Sequence, residues 1–348
     1  MNISVVILNW NGSALMEEFL PSVIANTPSQ IAEIIVADNG STDNSVAMLK
    51  EKFPSVRLLL FDRNYGFAEG YNLAISHVET TYTVLLNNDV EVTANWLDAP
   101  VRALEADYTL AGVQPKILDK KNKHKFEYAG AAGGWIDHYG YPFCRGRVLH
   151  LVEEDCGQYD NPMNIFWASG ACFFIRTEVF KKEGGLDAGF FAHQEEIDLC
   201  WRLCARGYRL KCIPQSVVYH VGGSTLKSES PRKTFLNFRN NLLMVYKNMP
   251  TDRLKTVMRL RFFLDYLAMA KLLLTGHIRN AIAIIQARIA YKKLRNEYAS
   301  VRAENLSKTI VSSIPEISHK SLVLNFYFNG KKKFSQITGI DKSDGKHR

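Results

Sequence analysis

The sequence lacks several patterns that define common protein classes. Its first apolar run ends in residues 9–12, NWNG, which have neither the GxGxxG pattern of dinucleotide-binding dehydrogenases nor a Lys or Arg for a triphosphate. The six cysteines include no CxxC pair, so we expect buried thiols in a reducing compartment and no disulfide framework. The residues nearest to a zinc pattern fit no familiar ligand spacing; they are Cys200, Cys204, Cys212 and His220.

The pattern of charged and apolar residues also predicts neither a targeting segment nor a membrane-spanning segment. Residues 1–7 have no basic segment ahead of their apolar run, so we expect a first strand, no signal peptide, and synthesis that ends in the cytoplasm. Charged residues interrupt the apolar stretches of residues 253–298, and no uncharged run approaches the roughly 20 residues that a spanning helix requires. A transmembrane helix is therefore not expected.

Acidic residues are scarce near the C-terminus. Residues 251–348 contain 19 Lys and Arg against 7 Asp and Glu, whereas residues 1–250 contain 24 against 28. Such a basic segment suits helices lying at an anionic membrane surface, here residues 253–298. Nucleic acid is not expected, because no nucleic-acid-binding motif is present. The alternative is that these helices pack on the rest of the protein or form a homodimer.

What is present indicates a layered α/β protein. The chain has 348 residues, 47% hydrophobic and 22% charged, which is enough for one large core and an appendage. Apolar runs at residues 4–8, 34–37, 56–61 and 83–86 alternate with helical patterns, the last of them at residues 73–78, which predicts a mostly parallel sheet. In such a sheet, ligands bind at the carboxyl ends of the strands.

The later part of the chain has a weaker pattern. We expect loops and short strands over residues 111–160, a buried strand over 166–176, and short strands at 209–213 and 217–219. From residue 235 onward the pattern is helical, at residues 238–246, 253–275 and 277–298.

Polar residues follow two of the predicted strands. The strand at residues 83–86 leads directly into Asn87, Asn88 and Asp89, whose oxygens suit a divalent cation that binds a diphosphate. The alternative is a tight turn or a helix cap. Asp38 is the first residue after the second strand; a cap by Thr42 or Asp43 explains the rest of that loop but not Asp38.

A second acidic group begins a predicted helix. Glu195, Glu196 and Asp198 follow two phenylalanines, and a carboxylate beside apolar surface gains basicity, which suits a general base. The alternative is that the three acids only complement the helix dipole. His220 ends a short strand, where a lone histidine is more often structural than a ligand.

Together these segments resemble the inverting glycosyltransferases of family 2, in particular the rhamnosyltransferase-like branch. The matching segments occur in family order over about residues 3–225 and are VVILNWNG, VADNGSTDNS, RNYGFAEGYN, LLNNDVEV, ASGACFFIR, FFAHQEEIDLCWR and YHVGGS. Seven ordered segments are a far more specific signal than any one of them.

The resemblance implies a fold and a reaction. The fold is GT-A, a Rossmann-like mixed and mostly parallel sheet flanked by helices, with a catalytic domain at residues 1–235 and a basic helical extension at 236–348. The reaction is inverting transfer of a sugar, rhamnose or another deoxyhexose, from a nucleoside-diphosphate sugar to a glycan or lipid-linked acceptor. The setting is bacterial surface-polysaccharide synthesis, in the cytoplasm or at the inner face of its membrane. Rival classes are a sugar-phosphate nucleotidyltransferase and a non-catalytic binding protein.

The resemblance also implies roles for individual residues. Asp38 accepts a hydrogen bond from the nucleobase, which favours a pyrimidine. The other residues implied at the donor are Asn9, Arg63, Asn87, Asn88 and Asp89. Asn87 replaces the first aspartate of the family's DxD motif, and Mn²⁺ or Mg²⁺ is expected at Asp89, His220 and Asn87. Glu196 is the expected base with Glu195 beside it, and the expected acceptor side is Ser169, Gly170 and Ala171.

Overall fold

The computed structural model describes residues 2–222 and 230–340. The strands are β1 (Ile3–Asn9), β2 (Ala32–Asp38), β3 (Arg57–Leu60), β4 (Tyr82–Asn87), β5 (Val90–Val92), β6 (Leu110–Asp119), β7 (Gly134–Asp137), β8 (Pro142–Cys144), β9 (Arg147–Val148), β10 (Leu151–Val152), β11 (Met163–Ile165), β12 (Cys172–Arg176), β13 (Arg209–His220) and β14 (Ile317–Ser318). The helices are α1 (Ser13–Asn26), α2 (Ser45–Lys52), α3 (Gly66–Ser76), α4 (Asp98–Ala106), α5 (Thr177–Lys182), α6 (Glu195–Ala205), α7 (Pro231–Asn248), α8 (Thr251–Leu274), α9 (Ile278–Leu294), α10 (Ala299–Ser307), α11 (Leu322–Tyr327) and α12 (Phe334–Thr338). The last two residues of the YHVGGS segment lie outside the described residues.

The larger sheet is mixed, with a parallel half. Its strand order is β11-β13-β6-β12-β4-β1-β2-β3, with β5 paired to β13. Strand β1 is parallel to β2 and β4, and β12 is antiparallel to β4 and β6. Asn9 is paired with Asp38, and Leu8 with Asn87. The carboxyl ends of three neighbouring strands therefore meet at one edge, as the sequence predicts.

The two faces of this sheet are both covered. Along β1, Val6 packs into a core shared with α3, α6 and α7, while Val5 and Ile7 pack into a core shared with α1, α2 and α4. Each of these three side chains is buried. Because both faces are covered, the central strands are apolar at nearly every position, and this made them visible in the sequence.

A smaller sheet connects the C-terminal part of the chain to the middle. Its order is β10-β9-β8-β7-β14, and β14 pairs with β7 in parallel. The buried carboxylate of Asp137, at the end of β7, accepts a hydrogen bond from the backbone N–H of Leu322 at 2.8 Å. Residues 317–322 thus pack against β7, in the middle of the chain.

Helix α7 crosses the predicted domain boundary at residue 235. Its buried residues Leu242, Leu243, Met244 and Val245 belong to the core that contains Leu85 of the central strand β4. The division into two domains stays a prediction, but α7 shares the core of the predicted catalytic domain. None of the helices within residues 2–222 and 230–340 is long and apolar enough to cross a membrane.

Several predicted boundaries were wrong. The helix predicted at residues 73–78 begins at Gly66, which has a φ of 82°. The strands predicted at 209–213 and 217–219 are one strand, β13, with an irregularity between Ile213 and Val217. The glycine-rich region 111–160 has the predicted loops and short strands, β7 to β10, but it begins with a long strand, β6, that was not predicted. The strand predicted at 166–176 covers only Cys172–Arg176.

Candidate active site

Two polar side chains join the carboxyl ends of β1 and β2. Asn9 Nδ2 donates to Asp38 Oδ2 at 3.1 Å, and Asp38 Oδ1 accepts from the backbone N–H of Ser41 at 2.8 Å. Asn88 Nδ2 donates to Asn9 Oδ1 at 3.0 Å. Asn9 and Asp38 are both buried. The structure thus brings together three of the residues predicted to bind the donor.

Arg63 lies beside the loop that follows Asp38. A Cβ atom on Gly40, whose φ is 70°, would come within 2.5 Å of the Arg63 backbone. Glycine is required there because of both its φ and this close approach. The exposed Arg63 guanidinium lies 4.7 Å from the centre of the Tyr65 ring.

The N-cap residue of α2 is Asn44, not the predicted Thr42 or Asp43. Asp43 instead accepts hydrogen bonds from the backbone N–H groups of Ser45 and Ser13, each at 3.0 Å.

The end of β13 brings His220 to the residues that follow β4. His220 Nε2 lies 3.0 Å from Asp89 Oδ1 and 3.4 Å from Asn87 Nδ2, and its Nδ1 lies 3.4 Å from Glu127 Oε1. These distances follow from the pairing of β13 with β5, in which His220 is paired with Val90. Asp89, Asn87 and His220, the predicted metal ligands, therefore meet at one place.

The two carboxylates change the protonation of this histidine. Burial alone would lower the pKa of His220, but the charges of Glu127 and Asp89 raise it to about 10. Without a cation, the imidazole is therefore protonated and forms ion pairs with both carboxylates.

The residues present fit a divalent cation. Neighbouring ligands of an octahedral ion with bonds of about 2.1 Å lie about 3 Å apart, which matches the distance of 3.0 Å between Asp89 Oδ1 and His220 Nε2. Glu127 stands at the other ring nitrogen, where metal-binding histidines usually have a carboxylate or carbonyl partner. No group of three His, Cys, Asp or Glu side chains within the described residues is placed to bind a metal alone. The remaining ligands would be Asn87, water and oxygen atoms of a diphosphate.

The loop before α6 has an unusual backbone. Three residues without the freedom of glycine have positive φ angles: Phe191 at 65°, His193 at 71° and Gln194 at 74°. Such conformations cost about 1–3 kcal/mol each and persist only where the surrounding structure enforces them. This strained loop leads directly into Glu195 and Glu196, the first residues of α6.

The three acidic residues of α6 have different environments. Asp198 is buried and contacts Arg202, Lys247 and Asn248. Glu195 is buried and Glu196 half-buried, and the Oε2 atom of each has no hydrogen-bond partner within the described residues. Asp198 is therefore engaged in ion pairs, whereas the two glutamates each keep an oxygen without such a partner in the described part of the chain.

The pKa values separate in the same way. Burial raises the pKa of Glu196 to about 7. Burial and the neighbouring charge of Glu196 raise the pKa of Glu195 well above its ordinary value. For Asp198, the charges of Lys247 and Arg202 overcome the effect of burial and lower the pKa. A carboxyl group with a pKa near 7 is well suited to act as a general base.

The predicted acceptor side lies next to Asn87. The Asn87 backbone N–H donates to the Ala171 carbonyl at 3.0 Å, and the Ser169 backbone N–H donates to Gln114 Oε1 at 2.8 Å. Ser169, Gly170 and Ala171 are all buried. Their contact with an acceptor stays a prediction.

Sequence reasoning missed two residues of this site. Glu127 follows β6 in a region predicted as loops and short strands, and only the folding of that region onto β13 brings it to His220. Asn240 lies on α7, and its side chain contacts the loop before α6. No local pattern in the sequence indicates either contact.

The mixed sheet, covered by helices on both faces and with polar residues gathered at its carboxyl edge, has the GT-A fold. A comparison with protein families agrees: residues 4–184 match the family described as Glycosyl transferase family 2. This protein belongs to that family.

Two curated relatives are similar over about 62% of the chain. The O-antigen biosynthesis protein RfbC of Myxococcus xanthus is 26% identical over 219 residues, which are 17% of its length. The N-acetylglucosaminyl-diphospho-decaprenol L-rhamnosyltransferase of Mycobacterium tuberculosis (strain ATCC 25618 / H37Rv) is 25% identical over 234 residues, 75% of its length. The chain thus spans a small part of the first relative and most of the second.

Solved structures share the fold. GalNAc-T7 with UDP, GalNAc and Mn²⁺ has a TM-score of 0.54 at 20% identity, over 71% of this chain and 48% of that one. S. aureus TarS 1-349 has a TM-score of 0.53 at 14% identity, over 88% and 89%. At these identities the likeness concerns the fold alone.

Proposed function

We propose that this protein is an inverting, metal-dependent glycosyltransferase that moves a sugar from a nucleoside-diphosphate sugar to a saccharide or lipid-linked saccharide. The observation that carries the proposal is the 3.0 Å contact between Asp89 and His220, at the sheet edge that also holds Asn9 and Asp38. This arrangement suits a diphosphate at the cation and a nucleoside beside Asp38. The family of the chain supports the same reaction class.

The mechanism is a single displacement in which Glu196 is the general base. Its carboxylate takes the proton of an acceptor hydroxyl while that oxygen forms a bond to the anomeric carbon of the donor. The bond from that carbon to the diphosphate oxygen breaks, and the nucleoside diphosphate leaves with the electron pair. Attack from the face opposite the leaving group inverts the anomeric centre.

Asp89, His220 and Asn87 would hold Mn²⁺ or Mg²⁺ on the diphosphate side. The cation supplies Lewis-acid stabilisation of the charge that builds on the leaving group. The Nε2 atom of His220 can coordinate only after it loses its proton, and Glu127 at Nδ1 orients the ring for that role.

We assign a pyrimidine nucleotide, dTDP or UDP, to the donor and a deoxyhexose such as rhamnose to the sugar. Asp38 can accept a hydrogen bond from a ring N–H, and a carboxylate is a strong acceptor for such a group. The mycobacterial relative is named as an L-rhamnosyltransferase with a decaprenol-linked acceptor, which agrees with surface-polysaccharide synthesis.

Two rival classes make different predictions. A nucleotidyltransferase requires Lys or Arg side chains near the triphosphate, but residues 9–12 include neither. A non-catalytic binding protein would bind nucleotide sugars without cleaving them. We therefore test the function by incubating the protein with dTDP-rhamnose and UDP-sugars, with and without Mn²⁺, and measuring release of nucleoside diphosphate. Release that requires the metal and is abolished in Glu196→Gln supports the proposal, whereas pyrophosphate release or no turnover with any donor and acceptor contradicts it.

The exposed face of α9 supports peripheral contact between residues 253–298 and the inner face of the cytoplasmic membrane. Four isoleucines form one stripe, each between 38% and 58% exposed: Ile278, Ile282, Ile285 and Ile289. Helix α9 contains no Asp or Glu. At 3.6 residues per turn, the exposed cations Arg279, Lys292 and Lys293 flank this stripe. An apolar stripe flanked by cations is typical of helices that lie in a membrane interface.

A second copy of the chain is the alternative occupant of this stripe. A twofold contact would place the cations that flank one stripe near cations that flank the other, and α9 has no acidic residue to compensate. Juxtaposed like charges oppose association. Anionic lipid headgroups, in contrast, complement the charge.

The membrane test uses point variants of the full chain. Residues after 250 share the core with α7, for example through Tyr291 and Leu322, so a truncation there would expose apolar surface. We expect flotation with vesicles of phosphatidylglycerol but not of phosphatidylcholine at low salt, and loss of flotation in Ile282→Ser/Ile289→Ser. Ile310→Ser, which changes an exposed isoleucine elsewhere, is the matched control. Equal flotation with both lipids, or concentration-dependent dimers that Ile282→Ser/Ile289→Ser dissociates, would refute membrane contact.

A further inference from the structure

We propose that Asn240 is a positioning residue for the catalytic base, because it holds the loop that places Glu196 at the start of α6. The inference rests on the proposed role of Glu196 and adds a residue from α7, a helix that continues into the C-terminal extension.

The Asn240 amide binds three carbonyl groups of this loop. Its Nδ2 atom donates to the carbonyl oxygens of Phe190 at 3.0 Å, Ala192 at 2.9 Å and His193 at 2.8 Å. Asn240 is completely buried. An amide nitrogen has two hydrogens, so three acceptors use its full donor capacity.

Neighbouring residues of α7 add to this contact. Arg239 Nη2 donates to the carbonyl oxygens of Gly189 and Phe190, each at 3.0 Å. Asn241 Nδ2 donates to Gln194 Oε1 at 3.0 Å. Three successive side chains of one helix therefore bind the segment 189–194 almost continuously.

The opposite side of the loop is held by α3. The backbone N–H groups of Phe67 and Ala68 donate to the Phe191 carbonyl at 2.7 and 3.2 Å. The Phe191 ring lies so close to Gly66 that a Cβ atom there would come within 2.5 Å of it. The loop is thus clamped between the start of α3, in the segment that resembles the donor-binding part of the family, and α7.

This clamp explains why the loop keeps its conformation. Phe191, His193 and Gln194 all have positive φ angles, which L-residues avoid unless other contacts enforce them. Asn240 donates to the carbonyl groups of His193, of Ala192 between the strained positions, and of Phe190 just before them. Glu195 and Glu196 follow without an intervening residue, so a change in the backbone at His193 moves the base directly.

A purely structural role would have a different signature. If Asn240 only stabilised the fold, its loss would lower the melting temperature and leave turnover per folded molecule unchanged. If it positions Glu196, kcat falls while the KM for the donor stays the same, because Asp38 and Asp89 bind the donor on other elements. A displacement of about 1 Å at the base can cost about 100-fold.

The experiment compares Asn240→Asp and Asn240→Ala with the same substitutions at Asn325. Asn325 is also buried and on a C-terminal helix, and its Nδ2 donates to the Ser321 carbonyl at 2.8 Å. Activity is assayed at a temperature well below the melting temperature of each variant. We expect kcat to fall about 100-fold in Asn240→Asp, with an unchanged KM for the donor. Asn240→Ser, which keeps one donor, should lose less and serves if Asn240→Asp does not fold.

Two outcomes separate the inference from the proposed function. Loss of activity in Glu196→Gln, with Asn240 variants no slower than Asn325 variants, would overturn the positioning role alone. Full activity in Glu196→Gln would overturn the assignment of the base. A rise in donor KM at unchanged kcat in the Asn240 variants would also overturn the inference.

Discussion

His220 and Asp89 are 131 positions apart in the chain, yet Nε2 of the one lies 3.0 Å from Oδ1 of the other. The antiparallel pairing of β13 with β5 creates this contact at the carboxyl edge of the sheet. Because the imidazole also faces Glu127, one histidine links the end of a strand to two carboxylates. Removal of either member of the pair should therefore change cation binding.

We first predict that Asp89→Asn abolishes metal-dependent binding of the nucleoside diphosphate and removes transfer. Asp89 is the one carboxylate of the cluster at residues 87–89. An uncharged amide oxygen binds a hard cation more weakly than a carboxylate does. Calorimetry of dTDP and UDP with and without Mn²⁺ measures the effect. Glu91→Gln is the control, because Glu91 is engaged in ion pairs with Lys120 and Lys123. Undiminished metal-dependent affinity in Asp89→Asn would rule out this ligand.

The second prediction concerns the two glutamates. Glu196→Gln should keep donor binding and lower kcat by about 10²–10⁴-fold, the usual contribution of a general base. Glu195→Gln should have the smaller effect, because the Glu195 side chain is more deeply buried than that of Glu196. Steady-state kinetics at saturating donor measures both. A larger loss in Glu195→Gln would move the base to that residue.

The third prediction is the pH dependence of the reaction. A base must be deprotonated, and burial raises the pKa of Glu196 to about 7. Below that pH, kcat/KM should therefore fall tenfold per pH unit, while donor affinity measured by calorimetry changes less. The acidic limb should be absent from the residual activity of Glu196→Gln. An acidic limb near the ordinary range of a glutamate, about pH 4, would argue against a buried base.

The sequence predicted the central sheet well because its strands are buried on both faces and apolar throughout. Asp38 and Asp89 were singled out because each lies at or just after the end of such a strand, and Asn9 because of the family resemblance. Glu127 and Asn240 were not, since their contacts depend on how the region 111–160 and helix α7 fold back over the sheet. The role of Asp198 was likewise hidden, because Lys247, which pairs with it, lies 49 positions away.

That ion pair leads to a prediction about stability. Lys247 Nζ contacts the carboxylates of Asp198 and Asp187, and its side chain is only 2% exposed. Lys247→Met leaves Asp198 with Arg202 but without its second cation, and breaking a buried pair typically costs about 3–5 kcal/mol. Urea denaturation measures the free energy of unfolding. Lys308→Met is the control, since its partner Glu304 is exposed and surface pairs contribute little; equal effects in both variants would contradict the prediction.

The last prediction concerns the base of the donor. Asp38 is held by Asn9 and by the Ser41 backbone N–H, so its carboxylate has a fixed position at the end of β2. Each carboxylate oxygen can accept more than one hydrogen bond, which leaves capacity for the ring N–H of uracil or thymine. In Asp38→Asn, an amide N–H can face the ring N–H of the base, where no hydrogen bond can form. The substitution also deprives Asn9 Nδ2 of a charged acceptor.

We therefore expect dTDP and UDP to compete with the donor more strongly than GDP does. Asp38→Asn should weaken the binding of dTDP and UDP by about tenfold or more, as for the loss of a charged hydrogen bond worth about 1.5–3 kcal/mol. Inhibition constants for the three diphosphates, in wild type and in Asp38→Asn, measure this. Stronger inhibition by GDP than by dTDP and UDP in the wild type would contradict a pyrimidine donor.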